Sequence, residues 1–118
     1  MNACSGSLCA IMNHPAAIAE YSDLRPLAMR IVEETMAVGR AEGAVFRDGY
    51  AKLVVELFDK PGGRGNSMYY DRRDGKPLEW DARNGVVARL GRKHGIATPV
   101  ADTIVPILKA MSGTVIPG

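Results

Sequence analysis

The chain has 118 residues, the usual size of one domain. Hydrophobic residues make up 47% and charged residues 24%, an ordinary globular composition that fills one core. A formal net charge of +2 makes no demand for nucleic acid or an anionic membrane as partner, and no apolar run is long enough to span a bilayer.

The two cysteines, Cys4 and Cys9, are too few for a disulfide scaffold, and their spacing fits no zinc motif. Both fall in an apolar N-terminal stretch and read as buried free thiols. That stretch lacks a basic segment and a cleavage site, so a cytoplasmic chain is expected.

In chain order, Asn2–Met12 reads as a buried helix and 15–21 as a short helical turn. Leu24, Leu27, Ala28, Ile31 and Val32 recur at i, i+3, i+4, i+7, i+8, which marks one face of a long helix. Asp23 suits its first turn and Gly43 its end. Tyr50, Leu53, Val54, Leu57 and Phe58 repeat the spacing in a second helix, before the loop Pro61-Gly62-Gly63-Arg64-Gly65. Ser67, or Asn66, is a suitable N-cap for a short helix through Tyr70. After the Asp74-Gly75 turn, a longer helix is predicted from about Leu78 to His94, with Gly95 as its C-cap. Trp80 is expected to be largely buried between helices, and Gly85 to admit a closely packed neighbouring helix. The doublets Arg72-Arg73 and Arg92-Lys93 read as solvated helix surface. Thr98 as N-cap and Pro99 at the first helical position open a last helix. Its apolar side is Val100, Ile104, Ile107, Leu108 and Met111, and Pro106 should kink it. The expected fold class is all-α, one multi-helix domain with short antiparallel connections.

Residue chemistry alone does not disclose a function. Gly63-x-Gly65 has no strand before it and lacks the full phosphate-loop fingerprint. His14 and His94 lie far apart without paired cysteines, so no metal site is expected.

The segment 66–103 is more specific. It holds Ser67, Met68 and Asp71, then Gly75, Glu79, Asp81, Asn84 and Gly85, then Gly95, Ile96, Thr98 and Pro99. That set closely resembles the C-terminal signature of ketopantoate reductases (2-dehydropantoate 2-reductases): Ser-Met-x-x-Asp, Gly-x-x-x-Glu-x-Asp-x-x-Asn-Gly and Gly-Ile/Val-x-Thr-Pro. Asn2 to Pro15 is similar, without gaps, to the helix that follows the family's catalytic lysine. The resemblance covers essentially the whole chain, 1–118, and is weakest around 16–25.

The resemblance implies a helical substrate and oligomerisation domain similar to the 6-phosphogluconate dehydrogenase C-terminal-like fold. In the complete family, NADPH reduces a 2-oxo acid to a 2-hydroxy acid in pantothenate biosynthesis. A Rossmann domain binds the cofactor and a lysine is the general acid, because negative charge develops on the carbonyl oxygen during hydride transfer. By the same resemblance, Asn2 and Ser67 are substrate-binding residues, and Glu79 lies beside the cofactor and the lysine. Residue chemistry offers plainer alternatives: an N-cap for Ser67, a helix-dipole partner for Glu79, a frayed terminus for Asn2. The lysine would fall three residues before Met1, and Gly6 and Ala16 stand where the family has two further substrate asparagines. This chain is therefore expected to lack the lysine and the Rossmann domain, and to bind no cofactor and be inactive alone. Its expected partners are a second copy of itself and a Rossmann-domain chain. The dimer is expected because the N-terminal helix, deprived of its neighbour, would be an exposed apolar surface; folding back onto its own domain is the competing outcome. A free-standing helical module for oligomerisation or small-acid binding is the other reading.

Overall fold

The computed structural model describes residues 2–58 and 67–114, with the side chains of Asn2, Ala3 and Phe58 outside the description. The predicted loop at 61–65 and Asn66 also lie outside it. Within the described residues the fold is all-α. The elements are α1 (Asn2–Met12), the short turn α2 (Ala17–Glu20), α3 (Leu24–Ala41), α4 (Tyr50–Phe58), α5 (Ser67–Arg73), a π-helical turn (Asp81–Gly85) running into α6 (Val86–His94), and α7 (Pro99–Met111). Helix α1 is the central strut, in contact with α2, α3, α5, α7 and the π turn.

The apolar N-terminal helix folds back onto its own domain. Cys4, Leu8, Cys9 and Ala10 are all buried against α3, α5 and α7, and both thiols are free. The premise that this helix stands uncovered is therefore overturned: its small residues let it sit inside the core. Burial pushes the Cys4 thiol up to about 12, because the thiolate would lose its hydration.

The core takes only part of each predicted stripe. On α3, Ala28, Ile31 and Val32 are buried, whereas Leu24 and Leu27 are only partly covered. On α4 the buried pair is Val54 and Val55, and Leu53 and Leu57 are exposed. On α7, Ile104 and Leu108 enter the core with Ala101, and Ile107 turns outward.

A carboxylate from α3 holds the start of α7. Pro99 has no N–H, and the Asp102 N–H already donates to the Thr98 carbonyl at 2.9 Å. The two remaining first-turn donors, the N–H groups of Val100 and Ala101, donate to Glu34 Oε2 at 2.8 Å and Oε1 at 2.9 Å. Thr98 is thus at the N-cap position but does not cap with its side chain; its hydroxyl donates to Asp102 at 3.3 Å instead. The carboxylate also meets the positive end of the helix dipole.

The link between α6 and α7 is equally tight. Gly95 adopts φ 67°, the left-handed conformation glycine accepts freely, and the Ile96 N–H donates to the Gly91 carbonyl at 2.8 Å. A Cβ on Gly91 would lie 2.7 Å from Thr98 Cγ2 and 3.0 Å from the Ile96 carbonyl oxygen. The close approach therefore occurs at Gly91. At Gly85, where a neighbouring helix was expected, a Cβ would meet Asp81 Oδ1 at 2.8 Å, the tip of a flexible side chain from its own helix.

Two further expectations change. Trp80 is half-buried, with the Lys109 ammonium 5.7 Å from its ring centroid, rather than enclosed. Arg72 is not simply solvated: it donates to the Thr114 carbonyl at 3.1 Å and pins the chain beyond α7 to α5. Arg73, Arg92 and Lys93 are exposed as expected.

The far ends of α3 and α6 are joined by charge. Glu42 accepts from His94 Nε2 at 2.8 Å and pairs with Lys93 at 3.5 Å. The His94 hydrogen bond, with Lys93 beside it, holds the Glu42 carboxyl below its ordinary 4.5.

Three outcomes are expected. Glu34→Ala should lower unfolding free energy in urea by about 2–3 kcal/mol, because it strips charge-assisted acceptors from two helix N–H groups; a loss within error would refute the cap. Gly91→Ala should destabilise by about 1–3 kcal/mol through overpacking, whereas Gly85→Ala should be neutral or gain up to about 1 kcal/mol in helix propensity as Asp81 swings aside. Equal losses at the two positions would contradict this assignment. Glu42 has a depressed folded-state carboxyl, so its contribution is fully present above 4.5 and disappears as pH falls through the lower folded value. The stability difference between the natural chain and Glu42→Gln should therefore shrink as pH falls below 4.5, which denaturation curves across the acid range will check.

Candidate functional site

The residues singled out from the sequence lie on separate elements that α1 links. Asn2 is the first residue of α1; its side chain lies outside the described residues. Ser67 opens α5, which packs on α1. Glu79 immediately precedes the stretch 80–94, and the π turn at its start also touches α1. The predicted helix start near Leu78 thus moves to residue 80: residues 76–79, which include Pro77, lie outside any helix, and the Leu78 N–H donates to Ser112 Oγ at 2.8 Å.

Ser67 is exposed at the first turn of its helix, where its hydroxyl serves equally as donor and acceptor. The Glu79 side chain is 61% exposed, and its carboxylate pairs with Arg83 at 3.4 Å, one turn on. Its carbonyl accepts from the Arg83 N–H at 3.2 Å, which fixes the backbone at this corner. Both side chains face solvent from ordered backbone. They present hydrogen-bonding groups to whatever adjoins this surface, and nothing in their chemistry makes them reactive alone.

Other polar groups are occupied structurally. Asp81 pairs with Arg89 along the same helix, and the buried Asn84 sits in the π turn. His14 accepts from the Ala16 N–H at 3.0 Å and lies edge-on to Tyr21. His94 is engaged by Glu42. Gly6 is buried and Ala16 half-buried, and neither has a polar side chain to offer. The sequence places Glu34 off the apolar stripe of α3 but does not disclose its capping role: nothing in its flanking residues says that its partners lie 66 and 67 positions away.

Among the described residues, no helix is long and apolar enough to cross a membrane. Elsewhere, a groove of about 650 Å³ opens between the end of α1, the first half of α3 and the start of α7. Its walls are mostly aliphatic, and it includes neither Ser67 nor Glu79.

Comparison with known proteins agrees with the signature. Residues 1–112 match the family described as ketopantoate reductase PanE/ApbA C terminal. A 2-dehydropantoate 2-reductase of Mycobacterium tuberculosis is 42% identical over 95% of this chain and 38% of its own length. One from Caulobacter vibrioides is 40% identical over 91% of this chain and 37% of its own. Among solved structures, a ketopantoate reductase from Staphylococcus aureus, described as dimeric, superposes with a TM-score of 0.85 at 31% identity, covering 93% of this chain and 39% of that one. This chain thus spans under two fifths of the length of the relatives it matches. With the helical fold, the spacing of the signature and the match over 1–112 in agreement, the chain belongs to the ketopantoate reductase C-terminal domain family.

Proposed function

We propose that this chain is the substrate-binding half of an NADPH-dependent 2-oxo acid reductase acting in the cytoplasm on ketopantoate or a close relative. It completes its site only beside a Rossmann domain that carries the lysine. The observation that carries this reading is the family match over 1–112, in which Ser67, at the start of α5, and Glu79, just ahead of the π turn, both present exposed polar side chains, α5 and the π turn each being in contact with α1. The domain as a unit is 1–118, and its own association is a two-fold dimer, in keeping with the relative described as dimeric.

In this reading NADPH supplies the hydride, and the residues of this chain bind and orient. The Ser67 hydroxyl and Asn2 amide hydrogen-bond the carboxylate or hydroxyl groups of the acid, fixing its carbonyl toward the cofactor. Glu79 fits the cofactor side as an acceptor. Its carboxylate suits a ribose hydroxyl or the carboxamide N–H and would repel phosphate, so its place is by the nicotinamide end. The Arg83 pair keeps that carboxylate oriented. Gly6 and Ala16 provide no side-chain hydrogen bonds, so the acid accepted by this domain is held by fewer polar contacts than in the family pattern.

NADPH oxidation with ketopantoate and other 2-oxo acids should match a no-protein blank for this chain alone. It should rise when a family Rossmann domain that includes the lysine is supplied or fused ahead of Asn2. In that assembly Ser67→Ala should cost about 10- to 100-fold in kcat/KM, the loss of one to two substrate hydrogen bonds. Turnover by the chain alone, or a fused assembly indifferent to Ser67→Ala and Glu79→Gln, would overturn the reading.

A further inference from the structure

Glu79 projects from a short segment that has no helical ladder of its own. Residues 76–79 lie between the end of α5 and the π turn, outside any helix, so their backbone groups are held by partners elsewhere. The Lys76 N–H donates to the Asp71 carbonyl at 2.8 Å, and the Glu79 carbonyl accepts from the Arg83 N–H at 3.2 Å. The anchors between these two come from the other end of the chain. The Leu78 N–H donates to Ser112 Oγ at 2.8 Å, and the Gly113 N–H donates to the Lys76 carbonyl at 3.1 Å. Gly113 has φ 75°, a left-handed turn that carries the chain off α7 toward this segment.

The end of α7 therefore grips the residues on both sides of Glu79. Leu78, just before it, is held by Ser112. Trp80, just after it, has the Lys109 ammonium 5.7 Å from its ring centroid. Lys109 and Ser112 are three residues apart, the spacing that places two side chains on one side of a helix end. This grip is rigid at its base. The Ser112 N–H donates to the Leu108 carbonyl at 3.0 Å, and Leu108 is fully buried in the core. A serine side chain has a single torsion between its backbone and Oγ, so its hydroxyl passes the position of α7 to Leu78 with little slack.

We infer that Ser112 is a positioning residue for Glu79. Its hydroxyl holds the Leu78 N–H and so fixes the corner from which the Glu79 carboxylate meets the cofactor. This rests on the proposed reading of Glu79 and adds what places it: Arg83 pairs with the tip of the side chain, and Ser112 sets the backbone that carries it. Such placing matters because an oriented contact in a reductase site loses rate steeply when displaced by about 1 Å.

Two measurements test the assignment, with circular dichroism to confirm that each variant is folded. In the chain alone, hydrogen exchange followed by NMR should find the Leu78 amide protected. Ser112→Ala should remove that protection, and Ser112→Thr, which keeps a hydroxyl, should restore most of it. In the assembly with a fused Rossmann domain, Ser112→Ala should lower kcat/KM for NADPH about threefold to tenfold, with Ser112→Thr near the natural value. In a Glu79→Gln background the same Ser112→Ala change should cost almost nothing further, because the group it places is already gone. An unprotected Leu78 amide in the natural chain, protection that survives Ser112→Ala, or kinetics indifferent to Ser112→Ala overturns the assignment and leaves the role of Glu79 standing. A Ser112→Ala loss that persists in full beside Glu79→Gln also overturns it, since Ser112 then acts on the fold at large. An assembly that is inactive, or indifferent to Glu79→Gln itself, overturns the reading of Glu79 and this assignment with it.

Discussion

The Glu34 carboxylate is the contact on which the arrangement of the domain turns. Helix α7 begins with a proline, so two first-turn N–H groups need acceptors, and α3 supplies both from a single side chain. A bidentate acceptor fixes direction as well as distance, and the start of α7 is thereby set against the middle of α3. Leu8 from α1, Val32 from α3 and Leu108 from α7 are among the most deeply buried side chains, and the three helices are in mutual contact. The same cap relieves Thr98 of that duty. Its methyl instead fills the space beside Gly91, where no side chain would fit, and this lets the short turn between α6 and α7 close.

Much of this was legible beforehand because helical periodicity is a local signal. The stripe Ala28-Ile31-Val32, the glycine stops at Gly43 and Gly95 and the proline start at Pro99 are each decided by residues within a turn or two of one another. What was not legible depends on partners distant in sequence. The composition of α1 marks it as buried but does not say against what, and the structure answers with its own domain. Trp80 carries no local sign of standing beside Lys109. The tether from Arg72 to Thr114 is a contact across 42 positions that no local pattern announces, and the π turn at Asp81–Gly85 interrupts what reads in the sequence as one regular helix. For Ser67 and Glu79 the limit is of another kind. An N-cap serine and an acidic residue at a helix start are commonplace, so the spacing of the whole signature, and not their own chemistry, singles them out.

The separation of stability from chemistry follows from where these groups sit. The core is closed within the chain: the apolar helix that would be orphaned by loss of a neighbour is already covered by α3, α5 and α7. The domain therefore needs no second domain to bury its apolar interior. The proposed site residues are in the opposite condition. A serine hydroxyl and a carboxylate in water exchange their hydrogen bonds with solvent and gain little from any one partner. Only when an adjoining wall excludes water does each bond acquire the strength of a low-dielectric setting, and only then does orientation of a 2-oxo acid become worth a large factor in rate. On the proposed reading, evolution of the substrate preference could proceed at positions such as Gly6 and Ala16, which pack against the scaffold without polar duties, while the Glu34 tie and the α1 core keep the fold unchanged. On that reading, geometry is stored in this domain and reactivity arises at its boundary with a Rossmann domain.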